Sequence, residues 1–145
     1  MYKNILIPTD GSELSARAVR YGVGLAKILG ARVTAITVTQ PFHGLSLEPL
    51  TLTDTHEEYD ERARKFADQT LGEFRAVAAE AGVHREGVHV EHARPYEAIL
   101  KAAQARDCDL IVMASHGRGG MAAVLLGSET LKVLTHSTIP VLVYR

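Results

Sequence analysis

Near its amino terminus the chain reads Ile5-Leu6-Ile7-Pro8-Thr9-Asp10-Gly11-Ser12. The apolar run at the start offers no polar side chain for a solvent-facing surface, which is typical of a strand buried on both faces. Proline, aspartate and glycine then end the strand, and Ser12 is a good N-cap for a helix that runs to Gly30. We therefore predict a central first strand, a loop at its carboxyl end and a first helix.

Four further segments have the composition of strands. Residues 33–38 are mostly β-branched or apolar, and Val88 and Val90 alternate with polar residues, as in an edge strand with one solvent-facing side. Two more apolar runs are Leu110-Ile111-Val112-Met113 and, at the end of the chain, Val141-Leu142-Val143-Tyr144. Together with the first strand they predict five strands.

Helices are predicted between these strands. One covers residues 55–81, another begins at Pro95, and a third follows Gly127-Ser128. Residues 41–55 contain two prolines, a glycine and several Ser and Thr, which predicts an exposed loop placed to cover a site. The helix over residues 55–81 is predicted to be amphipathic, with a solvated charged face and one apolar stripe of Tyr59, Ala63, Phe66, Thr70, Phe74 and Val77.

This alternation predicts an α/β fold, an open five-stranded parallel sheet with helices on both faces. The chain has 145 residues, the usual size of one domain, and we detect no linker or repeat, so we predict a single domain over residues 1–145.

Composition excludes several classes of function. Sixteen Lys and Arg against seventeen Asp and Glu leave a net charge of −1, which gives no general attraction for nucleic acid or an anionic membrane. No apolar run approaches the roughly 18 residues of a membrane span, and the first apolar run is too short for a signal peptide. The single cysteine, Cys108, is typical of a reduced compartment, so we expect a cytoplasmic protein.

Two loops are the places to look for a site. In open parallel sheets, ligands bind at the carboxyl ends of the strands, where the strand order reverses. The loop after the first strand holds Asp10, and the loop after the fourth reads Ser115-His116-Gly117-Arg118-Gly119-Gly120. If these strands are neighbours, the two loops face one cleft.

The second loop has features typical of a phosphate-binding site. Gly117 and Gly127 permit close approach and a positive φ, and the helix amino terminus near Ser128 presents unpaired N–H groups and a partial positive charge. The structural alternative is an ordinary loop with Ser128 as a helix N-cap. Spacing alone does not separate the two.

Taken together, the segments around Asp10, Gly117 and Ser128 and the closing Ile139-Pro140-Val141-Leu142-Val143 resemble the universal stress protein family from end to end. Nucleotide-binding members of that family carry Gly-x2-Gly-x9-Gly-(Ser/Thr). Gly117 and Gly127-Ser128 match its second and third glycines, and Ala114 stands where the first is expected.

The resemblance implies a Rossmann-like, adenine nucleotide alpha hydrolase-like sheet with strand order 3-2-1-4-5. It implies ATP, alone or with Mg, as the ligand, with Asp10 on the adenine or ribose side and Gly117, Gly127 and Ser128 on the phosphates. Arg118 offers a cation. Glu129 either opposes a triphosphate or points away and only complements the dipole of the fourth helix, which needs no ligand. The implied site is Pro8, Thr9, Asp10, Val38, Met113, Ala114, His116, Gly117, Arg118, Gly127, Ser128 and Glu129.

Catalysis is not assigned. Asp10, His116 and Ser115 or Ser128 lack the GxSxG motif and the chain order of a hydrolase, and no general base has a visible orienting partner, so at most slow ATP hydrolysis is expected. His89 and His92 project to opposite faces of a strand, which disfavours a shared metal and favours solvated histidines.

Two functions stay open. The first is an ATP-binding regulatory module of the stress response, and the second is an interaction protein that binds no nucleotide and acts through its oligomer surface. In both, Val141, Leu142 and Val143 leave an apolar sheet edge that pairing with a second chain would cover, which predicts a homodimer. The family resemblance implies the same dimer.

Overall fold

The computed structural model describes residues 1–42, 55–118 and 126–145. In these residues five strands alternate with four helices along the chain. In chain order they are β1 (Asn4–Pro8), α1 (Glu13–Leu29), β2 (Arg32–Thr39), α2 (His56–Ala81), β3 (Arg85–Glu91), α3 (Pro95–Ala105), β4 (Leu110–Ala114), α4 (Ser128–His136) and β5 (Val141–Tyr144).

The strands form one parallel sheet in the order β3-β2-β1-β4-β5, so the predicted fold class and the order 3-2-1-4-5 are confirmed. Ile5 on β1 lies beside Val33 on one neighbour and Leu110 on the other. The side chains of Ile5, Leu6 and Ile7 are fully buried, as expected for a central strand covered on both faces. β3 and β5 are the edges.

Alternating side chains of β1 point into two hydrophobic layers. Ile5 and Ile7 pack in a cluster with buried residues of α1 and α2, including Phe74. Leu6 packs on the opposite face with residues of α3 and α4, including Val133. The sheet is therefore covered on both sides, and the described helices do not cover its carboxyl edge.

The predicted helix boundaries follow from their capping residues. The hydroxyl of Ser12 accepts a hydrogen bond from the backbone N–H of Ser15, and Gly30 ends α1 in the left-handed conformation, as predicted. At the start of α2, Thr55 and Glu58 form a reciprocal capping box.

The predicted apolar stripe of α2 is buried to different depths, and none of its residues is exposed. Thr70 and Phe74 are buried, but the other fully covered positions are Ala67, Leu71 and Ala78. Length limits burial at the start of the helix: 26 residues of helix span about 39 Å, whereas the eight residues of β2 span about 26 Å, so the first turns extend beyond the sheet. There the ring of Tyr59 contacts Phe42 instead of the core, at 5.4 Å between ring centroids.

Residues 43–54, the middle of the predicted covering loop, and residues 119–125, which include Gly119 and Gly120, lie outside the described residues. No helix in the described ranges combines the length and the apolar composition that crossing a membrane requires.

Candidate functional site

The loop after β1 is fixed to the neighbouring strand. The backbone N–H of Thr9 donates to the carbonyl of Ile36 at 2.9 Å, and the hydroxyl of Thr37 donates to the carbonyl of Thr9 at 2.9 Å. Asp10 therefore leaves the sheet at a defined point, at the carboxyl end of the central strand.

The carboxylate of Asp10 joins the two predicted loops. One oxygen accepts from the backbone N–H of Ser12 at 3.0 Å, and the other accepts from the backbone N–H of Arg118 at 2.8 Å. Burial raises the pKa of this carboxyl, but the hydrogen bonds from Ser12 and the Arg118 backbone outweigh it and leave the pKa below its ordinary value. Asp10 is therefore ionised at neutral pH.

The two glycines of the motif are needed for close approach. A Cβ at Gly117 would collide with the Asp10 carboxylate, and a Cβ at Gly127 would lie 3.1 Å from the Cα of His116. Gly127 also donates its N–H to the carbonyl of Ser115 at 2.6 Å. Neither glycine is among those with positive φ, so that part of the expectation is wrong. Space rather than backbone conformation explains these glycines.

The amino terminus of α4 is bare of a side-chain cap. Its N-cap is Gly127, and Ser128 is the first helical residue, so the alternative in which Ser128 caps the helix is wrong. Its first-turn N–H groups have no partner within the helix, and the residues that carry them lie at the carboxyl edge of the sheet. Thr130, which sequence patterns did not single out, donates its buried hydroxyl to the carbonyl of Ala114 at 2.9 Å. This bond fixes α4 to the end of β4.

Glu129 is directed towards α3. Its Oε2 accepts a hydrogen bond from the backbone N–H of Tyr96 at 2.9 Å, and its Oε1 lies 3.5 Å from the Nζ of Lys132. Its carboxylate therefore supplies the first turn of α3 with an acceptor that the N-cap residue, Arg94, does not provide.

The side chains of Arg118 and His116 have partners in the protein. The guanidinium carbon of Arg118 lies 4.7 Å from the ring centroid of Phe66 on α2, an attractive cation–π contact. The Nδ1 of His116 lies 3.2 Å from the hydroxyl of Ser115. The two histidines considered for a metal do not share a site. The Nε2 of His89 lies 2.7 Å from the hydroxyl of Thr39, and His92 lies beyond the end of β3.

These elements enclose a cleft of about 850 Å³ at the carboxyl ends of the strands. It brings together all the residues that the sequence predicted for the site: Pro8, Thr9, Asp10, Val38, Met113, Ala114, His116, Gly117, Arg118, Gly127, Ser128 and Glu129. Among the described residues, six others line the cleft that sequence patterns did not indicate: Ser15, Ile36, Gln40, Pro95, Ile99 and Thr130.

Two of these six residues could have been predicted from their position in the chain. Gln40 directly follows β2, and Pro95 begins α3, so both lie at the carboxyl edge of a parallel sheet by topology alone. Ile36 and Ile99 are buried core residues, and nothing in their spacing distinguishes them from the rest of the core.

Comparison with known proteins places the chain among relatives of the same fold. The sequence profile described as the universal stress protein family matches residues 1–145. A universal stress protein of Methanocaldococcus jannaschii is 34% identical over 149 aligned positions, which cover 100% of this chain and 83% of the relative.

Two solved structures extend the similarity. One is the hypothetical protein MJ0577, the subject of a structure-based assignment of biochemical function, with a TM-score of 0.83, 28% identity and coverage of 99% and 96% of the two chains. The other is a universal stress protein in complex with cAMP, with a TM-score of 0.70, 26% identity and coverage of 99% and 97%. The chain belongs to the universal stress protein family.

Proposed function

We propose that this protein is an adenine-nucleotide-binding regulatory module of the stress response and that ATP, alone or with Mg, is one of its ligands. One observation carries the proposal: the cleft of about 850 Å³ is lined both by apolar side chains and by the uncapped amino terminus of α4. A nucleotide has the matching division into a flat apolar base and an anionic phosphate.

The base is assigned to the apolar side. Ile36, Val38, Ile99 and Met113 line the cleft there, and apart from Val38 they are buried in the core. Their side chains offer a rigid surface for one face of adenine. Thr9 and Asp10 stand beside them and supply polar groups for the edge of the base or the ribose.

The phosphates are assigned to the glycine side. Ser128, Glu129 and Thr130 of the first turn of α4 line the cleft, and the helix dipole favours an anion there. Because Gly117 and Gly127 have no Cβ, the backbone of the glycine side can lie close to Asp10 and to His116. The hydroxyl of Ser128 adds a hydrogen-bond donor for a phosphate. The cAMP complex of the relative supports an adenine nucleotide as the ligand class.

We further propose a homodimer through β5. Ile111 donates to the carbonyl of Pro140 and Ser115 donates to that of Tyr144, so alternate residues of β5 face β4 and the main-chain groups of Val141 and Val143 face the free edge. Pairing with the same strand of a second copy about a two-fold axis satisfies these groups. We place this dimer in the cytoplasm, as the single cysteine predicts.

A second candidate is an interaction protein that has lost nucleotide binding. Ala114 favours it, because this residue adds a methyl group to the wall of the cleft where the family motif has glycine. Glu129 favours it too, since it adds a carboxylate beside the phosphate end.

The test is the nucleotide content of freshly purified protein, followed by ATP titration calorimetry on the parent and on Ala114→Gly. We expect co-purified adenine nucleotide or micromolar binding by the parent. Binding only by Ala114→Gly would contradict the proposal and favour the second candidate. An empty parent whose variant is also inert would exclude this cleft as an adenine-nucleotide site.

A further inference from the structure

Glu129 holds a carboxylate between two helix amino termini. It is the second residue of α4, and its Oε2 accepts the N–H of Tyr96, the second residue of α3, at 2.9 Å. Neither helix has a side-chain cap from its own N-cap residue. The carboxylate therefore occupies the positive potential of both ends, and the hydrogen bond keeps it in place beside the cleft.

The charges on the cleft walls are unfavourable to a long polyphosphate. Asp10 and Glu129 both line the cleft, and among its described lining residues Arg118 is the one arginine and there is no lysine. The guanidinium of Arg118 stacks on Phe66. The Nζ of Lys132 lies 3.5 Å from Glu129 and 5.6 Å from the ring centroid of Tyr96, and Lys132 is not among the described residues that line the cleft.

We infer that Glu129 is a specificity-determining residue that favours adenine nucleotides with one phosphate over those with three. This inference rests on the proposed function. The first turn of α4 would bind the phosphate and also carries Glu129. The phosphate and the Glu129 carboxylate would therefore lie within the screening length of about 8 Å at physiological salt. Repulsion therefore grows with each added phosphate charge, whereas contacts to the base stay the same.

The test compares AMP with ATP by calorimetry in the absence of divalent cations, on the parent, Glu129→Gln and Glu80→Gln. Glutamine keeps an oxygen that accepts from Tyr96 and removes the charge. Glu80→Gln makes the same change on the exposed last turn of α2, at the opposite end of the sheet. We expect Glu129→Gln to raise the affinity for ATP relative to AMP by about tenfold, and Glu80→Gln to leave that ratio unchanged.

A second measurement needs no variant. Since salt screens repulsion, raising the ionic strength should increase the affinity of the parent for ATP relative to AMP, whereas a site that attracts the extra phosphates would show the reverse. Three results would overturn the inference while nucleotide binding itself stands. The affinity for ATP relative to AMP could be unchanged in Glu129→Gln, could shift equally in Glu80→Gln, or could fall as the salt concentration rises. If neither nucleotide binds to any of the proteins, the proposed function fails, and the inference with it.

Discussion

The carboxylate of Asp10 accepts a hydrogen bond from the backbone N–H of Arg118 at 2.8 Å. The two residues are 108 positions apart, yet the parallel pairing of β1 with β4 places the ends of their strands side by side. This bond holds the glycine-rich loop against the loop of the central strand and defines one wall of the cleft.

Asp10→Asn should destabilise the protein by about 2 kcal/mol. Both carboxylate oxygens accept backbone N–H groups, and an asparagine presents an NH2 group to one of those donors, which leaves it without an acceptor. Urea unfolding measures the loss. Asp68→Asn, on the exposed side of α2, is the matched control and should change stability little. Equal effects at the two positions would contradict the joining role of Asp10.

The stability advantage of the parent over Asp10→Asn should depend on pH. Because the pKa of Asp10 in the folded state lies below its ordinary value of 3.8, the unfolded chain binds the proton first as the pH falls. The advantage is therefore complete above roughly pH 5 and decreases as the pH falls through the folded-state pKa. Urea unfolding of the parent and Asp10→Asn, from neutral pH down through the folded-state pKa, measures this difference in stability. A difference that grows as the pH falls would refute the prediction.

Gly117→Ala should destabilise the protein by about 1–3 kcal/mol and weaken nucleotide binding, because the new methyl group displaces the Asp10 carboxylate. Gly72→Ala makes the same change inside α2, where an added Cβ meets open space. It should stabilise the protein by up to about 1 kcal/mol, since alanine is the better helix former. Thermal unfolding should show a lower Tm for Gly117→Ala and a higher Tm for Gly72→Ala if crowding at Gly117 is the cause.

Val143→Pro should convert the proposed homodimer to a monomer without unfolding it. The N–H of Val143 faces the free edge of β5, so proline removes a donor to the second copy and none to β4. Sedimentation at micromolar concentration measures the mass, and circular dichroism checks the fold. Val143→Thr keeps the N–H and should stay dimeric. A monomeric parent would rule out this interface.

Much of the fold was predictable because it rests on local patterns. The uninterrupted apolar run Ile5-Leu6-Ile7 indicated a strand buried on both faces, and it lies at the centre of the sheet. Ser12 and Gly30 marked the ends of α1 because capping depends on a few neighbouring atoms. Asp10 and Gly117 each follow a predicted strand, so they were expected to face one cleft if those strands are neighbours. The family resemblance supplied the strand order, and the pairing of β1 with β4 meets the condition.

What sequence patterns missed depends on contacts between distant residues. The direction of the Glu129 side chain is set by the N–H of Tyr96, 33 positions away, and no periodicity contains that information. The role of Gly117 follows from the position of the Asp10 carboxylate rather than from its own backbone angles. The depth of burial along the apolar stripe of α2 could not be predicted, because the part of a helix that rests on the sheet depends on the length of the strands beneath it.

The most direct test of the central claim is amide NMR of the isotope-labelled protein titrated with AMP. We expect progressive shifts of the Asp10, Gly117 and Ser128 resonances at the cleft, while Glu80 and Gly82 at the far end of α2 stay unchanged. A spectrum that AMP does not alter, or shifts confined to the far end of the sheet, would contradict adenine-nucleotide binding in this cleft.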